Sequence, residues 1–186
     1  MPNKKNIVIA ISGASGAIYA KTLLLHLETI QSQIDKVAVI LSDNAYQIWE
    51  DELQTPFSTS FQIYKNNDFS APFASGSGVY DTMIIVPCSM GTLGRIANGI
   101  SSDLISRTAD VFLKERRSLI LVTRETPLSL IHIENMRRIT LAGGIIFPAN
   151  PSYYHHPKDI EELVQQFTFR LLDFADFSVE GFRWGN

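Results

Sequence analysis

What this sequence has little of bounds it before any motif does. Its one cysteine, Cys88, excludes an internal disulfide framework and a cysteine-rich metal site. Lysine and arginine (16) do not outnumber aspartate and glutamate (19), and a net charge of −3 argues against a general nucleic-acid binder. The apolar runs are strand-length, well short of the roughly 20 residues that span a bilayer. The opening Met-Pro-Asn-Lys-Lys is too short to be a secretion signal, so a cytoplasmic protein is expected. Neither the Gly-x-Gly-x-x-Gly of a dinucleotide fold nor the Gly-Lys-Ser/Thr of a P-loop occurs. What remains is 186 residues, 45% apolar and 19% charged, enough for a real core in a single domain over 1–186.

The chain is organised around its first turn. Residues 7–11 are an unbroken β-branched and apolar run, as expected of a strand buried on both faces. The run stops at Ser12-Gly13, and from Ala17 apolar residues recur at helical spacing (Ile18, Leu23, Leu24, Leu27). A strand passing through a Gly/Ser turn into a helix points several backbone N–H groups outwards at the helix's positive end, a cradle for a phosphate. Gly13 and Gly16 permit close backbone approach, while Ser12 and Ser15 can donate to an anion or cap the helix. A tight turn with a serine cap and no ligand accounts for the same residues. If a ligand binds, a mononucleotide fits this turn better than NAD or ATP.

The rest of the chain repeats this logic. Residues 36–41 form a second strand ending at Ser42-Asp-Asn44, good caps for the helix through Trp49 and Leu53. Periodicity then fails from 54 to 80, a long aromatic-rich connection of the kind that is usually functional. Residues 81–86 are a third strand running into Pro87-Cys-Ser-Met-Gly-Thr92, a second small polar turn before a helix. Two such turns suggest adjacent parallel strands whose carboxyl ends share one crevice, where doubly wound sheets bind ligands. Ser89 and Thr92 can contact a flavin or a phosphate, or Ser89 can simply cap the helix. Cys88 has no evident histidine partner and reads as a packing residue. Residues 94–117 are helical with a break at 99–102, and the basic cluster Lys114-Glu-Arg-Arg117 ends them. A fourth strand (118–123) delivers Arg124-Glu125 to the crevice, where arginine can bind a phosphate and glutamate can move a proton. A helix over 128–141 carries His132, read as a packing or surface residue. A short fifth strand (145–147), a Pro-pinned Tyr/His loop and a last helix over 158–177 complete a doubly wound, flavodoxin- or Rossmann-like α/β fold with a parallel sheet.

Gly13-Ala-Ser-Gly-Ala17, Ala74-Ser-Gly-Ser77, Pro87-Cys-Ser-Met-Gly-Thr92, Lys114-Glu-Arg-Arg117, Arg124-Glu125 and Ile131-His-Ile-Glu-Asn-Met136 occur in that order. With Tyr154-His-His-Pro157 and the terminal Arg-Trp-Gly, they closely resemble the UbiX-type flavin prenyltransferases from about residue 6 onwards. That resemblance implies a metal-independent transferase. It moves a dimethylallyl group from dimethylallyl monophosphate to N5, then C6, of reduced FMN, and the product serves UbiD-type decarboxylases, including that of ubiquinone synthesis. By the same resemblance FMN contacts fall on Gly13, Ala14, Ser15, Ser42, Ser89, Met90, Gly91, Thr92 and Arg124. Prenyl phosphate contacts fall on Tyr154 and Arg170, with Lys114, Arg107 and Glu125 completing the polar site and Glu52 as a further active-site carboxylate. On chemical grounds, the aromatic faces of Trp184 and a tyrosine would shelter the allyl cation.

Breaking an allylic carbon–phosphate bond builds positive charge on carbon and negative charge on the departing phosphate. Lys114, Arg124, Tyr154 and Arg170 suit that phosphate, and Glu125, with Ser15 or the retained phosphate, suits the later proton removal. No Asp-rich motif for Mg²⁺ is present, and no metal is expected. Relatives assemble as dodecamers, so Lys114, Tyr154 and Arg170 are expected to act across subunits. The tail ends two residues after Trp184, which bears on any lid it forms. The rival readings are an FMN-dependent cysteine-type decarboxylase, whose catalytic histidine and Pro-x-Met-Asn motif are not matched here, and a non-catalytic flavin-binding regulatory subunit.

Overall fold

The computed structural model describes residues 4–183 and 185. Six parallel strands form one sheet: β1 (Lys5–Ile11), β2 (Ile34–Leu41), β3 (Gln62–Lys65), β4 (Thr82–Cys88), β5 (Ser118–Thr123) and β6 (Ile145–Ile146). Their order across the sheet is β3-β2-β1-β4-β5-β6. The helices are α1 (Ala17–Thr29), α2 (Asp43–Leu53), α3 (Met90–Ala97), α4 (Leu104–Lys114), α5 (Leu130–Leu141) and α6 (Ile160–Phe174).

Period-two alternation assigns each strand side chain to one of two cores. Ile7, Ile9 and Ile11 of β1 with Ile84 and Val86 of β4 pack against α1, α2 and α6. Val8 and Ala10 with Met83 and Ile85 pack against α3, α4 and α5. Covered on both faces, these strands read as continuous apolar runs, which is why they are visible in the sequence.

β3 is the strand the sequence reading misses. Four residues long, exposed at Gln62, Ile63 and Lys65, it pairs only with β2 at the sheet edge. An edge strand this short has neither a buried run nor a clean alternation, so it sits inside a stretch expected to be loop. Without it the order is that of flavodoxin; with it, that of a dinucleotide-binding sheet. The helix expected over 94–117 is two helices, with the second restarted by a capping box in which Asp103 accepts from Ser106 N while Ser106 Oγ accepts from Asp103 N. Among the described residues no helix is long and apolar enough to cross a membrane.

The topological switch falls between β1 and β4, which pair in parallel from Ile7↔Thr82 to Ala10↔Ile85. Connections leave these two strands in opposite directions, opening a crevice at their carboxyl ends. The two small polar turns flank it.

Candidate active site

Ser12 joins the two turns. Its hydroxyl is 1% exposed, donates to the Pro87 carbonyl (2.9 Å) and accepts from Ser89 N (2.8 Å). Gly13 lets the first turn press on the second helix: a Cβ there would lie 2.7 Å from Asn44 Cβ. Gly16 stands at the N-cap of α1 with φ +114°, a conformation L side chains rarely adopt. It has no side chain with which to cap, and a residue from another helix does so instead.

That residue is Glu52, near the end of α2. Its carboxylate accepts from Gly16 N (2.9 Å) and Ala17 N (2.7 Å). Burial raises the Glu52 carboxyl, but the Ser15 hydroxyl, the Gly16 and Ala17 N–H groups and the Arg124 charge outweigh it. The net result is a group held below the ordinary glutamate value. The N–H groups of Gly16 and Ala17, at the positive end of α1, are thus taken by the chain's own carboxylate. Arg124 closes the cluster, its Nε donating to the Ser15 carbonyl (3.0 Å). Ser15, Glu52 and Arg124, from three separate segments, therefore meet at one point.

Each remaining turn residue keeps a local structural role as well. Ser42 caps α2, accepting from Ala45 N (3.3 Å). Ser89 caps α3, accepting from Thr92 N (3.2 Å), and its hydroxyl donates to Thr92 Oγ1 (3.1 Å). Both serines thus do what the bland reading supposed, which does not stop a cap at a crevice rim from also meeting a ligand. Ala14 N donates to the Ser12 carbonyl (2.8 Å), and Ala14 and Met90 are buried. Gly91 is exposed, with the nearest atom to a Cβ there 3.9 Å away. Glu125 is exposed and accepts from Thr126 N (3.0 Å), so it does not pair with Arg124. Cys88 is fully buried, and burial pushes its thiol up to about 12 despite the nearby Arg95, consistent with a packing role. His132 belongs to the capping box of α5, its Nδ1 accepting from Ser129 N.

Comparison with known proteins is consistent along the whole chain. The flavoprotein family model matches residues 1–169. A flavin prenyltransferase UbiX from Methanocaldococcus jannaschii is 41% identical over 184 residues, covering 96% of this chain and 98% of that one. The chain belongs to the UbiX-type flavin prenyltransferases. The fold agrees with theirs: a crystal structure of AnUbiX (PadA1) in complex with FMN and dimethylallyl pyrophosphate is similar over 99% of both chains, at TM-score 0.93 and 40% identity. A dodecameric FMN-dependent UbiX-like decarboxylase from Escherichia coli O157:H7 covers 97% of this chain and 100% of its own, at TM-score 0.89 and 34% identity.

Against that family background, the distribution of the expected substrate residues is informative. α4 runs antiparallel to the strands, from Leu104, whose N–H reaches the Asn66 carbonyl past the end of β3, down to the start of β5. Lys114 therefore lies at the amino edge of the sheet, 2.7 Å from Glu115 and beside Gly76. The length of β5 separates it from Arg124, about 20 Å at 3.3 Å per residue. Arg107, on the same helix, donates from Nε to the Ala74 carbonyl (3.0 Å) and faces Asp110. Tyr154 and Arg170 line a third place, a cavity of about 560 Å³ with Ser152, Asp173, Phe182 and Arg183 and without any residue of the turns. Asp173 there holds both Arg170 (3.3 Å) and Arg183 (2.5 Å). Trp184 lies outside the described residues.

Sequence reasoning missed Arg95. It follows Thr92 by three positions on α3, so helical spacing alone signals that the two can touch.

Proposed function

We propose that this chain is a single-domain flavin prenyltransferase. It transfers the dimethylallyl group of dimethylallyl monophosphate to N5 and C6 of reduced FMN, in the cytoplasm, and passes the product to a UbiD-type decarboxylase. The observation that carries the reading is the meeting of Ser15, Glu52 and Arg124 at the α1 end of the crevice, in a chain 41% identical to a UbiX enzyme along its length.

The residues fit the flavin. The exposed Gly91 leaves the second turn open, Ser89 and Thr92 put two hydroxyls at the positive end of α3, and Gly13, Ala14 and Ser42 form the opposite rim. Reduced FMN, when bound, supplies the nucleophilic ring that accepts the allyl group.

Arg124, anchored through Nε, keeps its terminal nitrogens for bidentate contact with a phosphate, and so stabilises the charge left when the carbon–oxygen bond of the donor breaks. Glu52 binds the Ser15 hydroxyl and sits near Arg124, fixing both against the crevice. Glu125, exposed and oriented by Thr126 N, would take the proton lost from ring carbon C6 once the carbon–carbon bond there has followed the carbon–nitrogen bond at N5.

Lys114 acts at this site from a neighbouring copy, because the length of the sheet stands between it and the Arg124 of its own chain, and Tyr154 and Arg170 are likewise supplied across subunits. A surface for those copies exists. On α5, Leu130 and Ile131 are each 72% exposed and Leu141 71%, aliphatic surface that a neighbouring copy would cover. The dodecameric relative supports the same assembly here.

Anaerobic incubation with reduced FMN and dimethylallyl monophosphate, followed by mass analysis of the released flavin, tests the activity. A flavin heavier by one C5 unit is expected; unchanged flavin bound to folded protein refutes it. Mixing inactive Lys114→Ala and Glu125→Gln subunits tests the sharing of sites. Activity should return on reassembly, and a mixture that stays as inactive as its parents refutes a composite site.

A further inference from the structure

Arg95 has no part in the reading above, yet its surroundings are built with care. Its NH2 donates to Thr92 Oγ1 (3.2 Å) and lies 3.4 Å from Asp103. Asp103 is itself fixed, accepting from Ser106 N and Ser106 Oγ at 2.7 Å each. Arg95 Nε is buried without an acceptor among the described residues. Its NH1 lies toward the exposed Gly91, 3.9 Å from where a Cβ would stand, so no side chain at 91 screens the guanidinium from the crevice.

The consequence for Thr92 is stereochemical. A threonine hydroxyl has two acceptor positions and one proton to donate. Here the oxygen accepts from Ser89 Oγ and from Arg95, and Thr92 is only 3% exposed. With both acceptor positions filled, what the hydroxyl has left to offer a ligand is its proton. The turn then offers an incoming group a hydroxyl proton, a helix N-terminus and, one layer behind, a guanidinium held in place by Asp103 with its NH1 turned toward Gly91. That combination suits an anion with several acceptor oxygens and gives little to a neutral polyol.

We infer that Arg95 is a positioning residue for the phosphate group of FMN. It holds the Thr92 hydroxyl as a donor and supplies the local positive charge, and so makes the protein prefer FMN to riboflavin. This rests on the reading of the crevice as a flavin site.

The test is equilibrium binding of FMN and of riboflavin to the wild type, Arg95→Met and Arg95→Lys, with circular dichroism to confirm folding. The wild type should prefer FMN. Arg95→Met should lose roughly 10- to 100-fold in FMN affinity, the range of a charge-assisted hydrogen bond, and keep riboflavin affinity within about twofold. Arg95→Lys should recover part of the preference, because it restores charge without the planar fork. Thr92→Val should lose a similar preference, and adding Arg95→Met to it should cost little more. If folded Arg95→Met keeps the wild-type ratio of FMN to riboflavin affinity, or loses both ligands equally, the inference is overturned and the flavin-site reading stands. A wild type that binds neither flavin removes that reading and the inference with it.

Discussion

Replacing Ser12 with alanine removes one oxygen from the joint between the two turns. Pro87 O keeps a donor, because Ser12 N also reaches it at 3.2 Å. Ser89 N is less fortunate, since the lost hydroxyl is the acceptor it holds, at 2.8 Å in a site 1% exposed at Ser12. A buried N–H left without a partner costs about 1–3 kcal/mol, and alanine fits the space, so the net loss of stability is about 2 kcal/mol. For a chain of this size each kcal/mol moves the melting temperature by about 2–4 °C, giving a fall of about 4–8 °C. The measurement is thermal unfolding by circular dichroism at fixed protein concentration, since any assembly makes the midpoint concentration-dependent. FMN and riboflavin binding should weaken together, because the relative placement of both turns is loosened. A variant melting within about 1 °C of the wild type would mean that Ser89 N finds another acceptor, and the joint would not be what holds the turns in register.

Three further outcomes follow from the same geometry. The Glu52 carboxyl sits below its ordinary value of 4.5, so it stabilises the fold above that pH and loses the contribution as pH falls through its lowered folded value. Glu52→Gln should therefore melt lower than the wild type at pH 7 and show a smaller further drop at pH 3 to 4; parallel pH profiles would contradict this. With its thiol pushed up to about 12 and the side chain enclosed, Cys88 should resist iodoacetamide at pH 8 in the native protein and react fully in denaturant. Native labelling at the denatured rate would place it outside the core. Glu125→Gln should bind FMN as the wild type does and slow prenylation by about 100-fold or more, the usual contribution of a positioned proton acceptor. Full activity in that variant would take Glu125 out of the mechanism.

Much of this protein is written in local sequence. The strands β1, β2, β4 and β5 are legible because the greater part of each is covered on both faces, which leaves a continuous apolar run such as 7–11 in β1 and 37–41 in β2. Ser42 and Ser89 are legible as caps, since capping needs only the next few residues. The family motifs were readable from order and spacing, and they pointed to Glu52, Arg107 and Arg170 where periodicity was silent. The tertiary structure decided where those residues stand and what they touch. Glu52 caps a helix 36 positions away, because the winding of β2 and α2 returns the chain beside α1. Lys114 lies beyond reach of Arg124 within one chain, because α4 must run antiparallel to the strands it connects. β3 exists only because β2 offers it an edge. Burial writes periodicity into each element separately. Which ends meet depends on the crossovers, and these belong to the sheet as a whole.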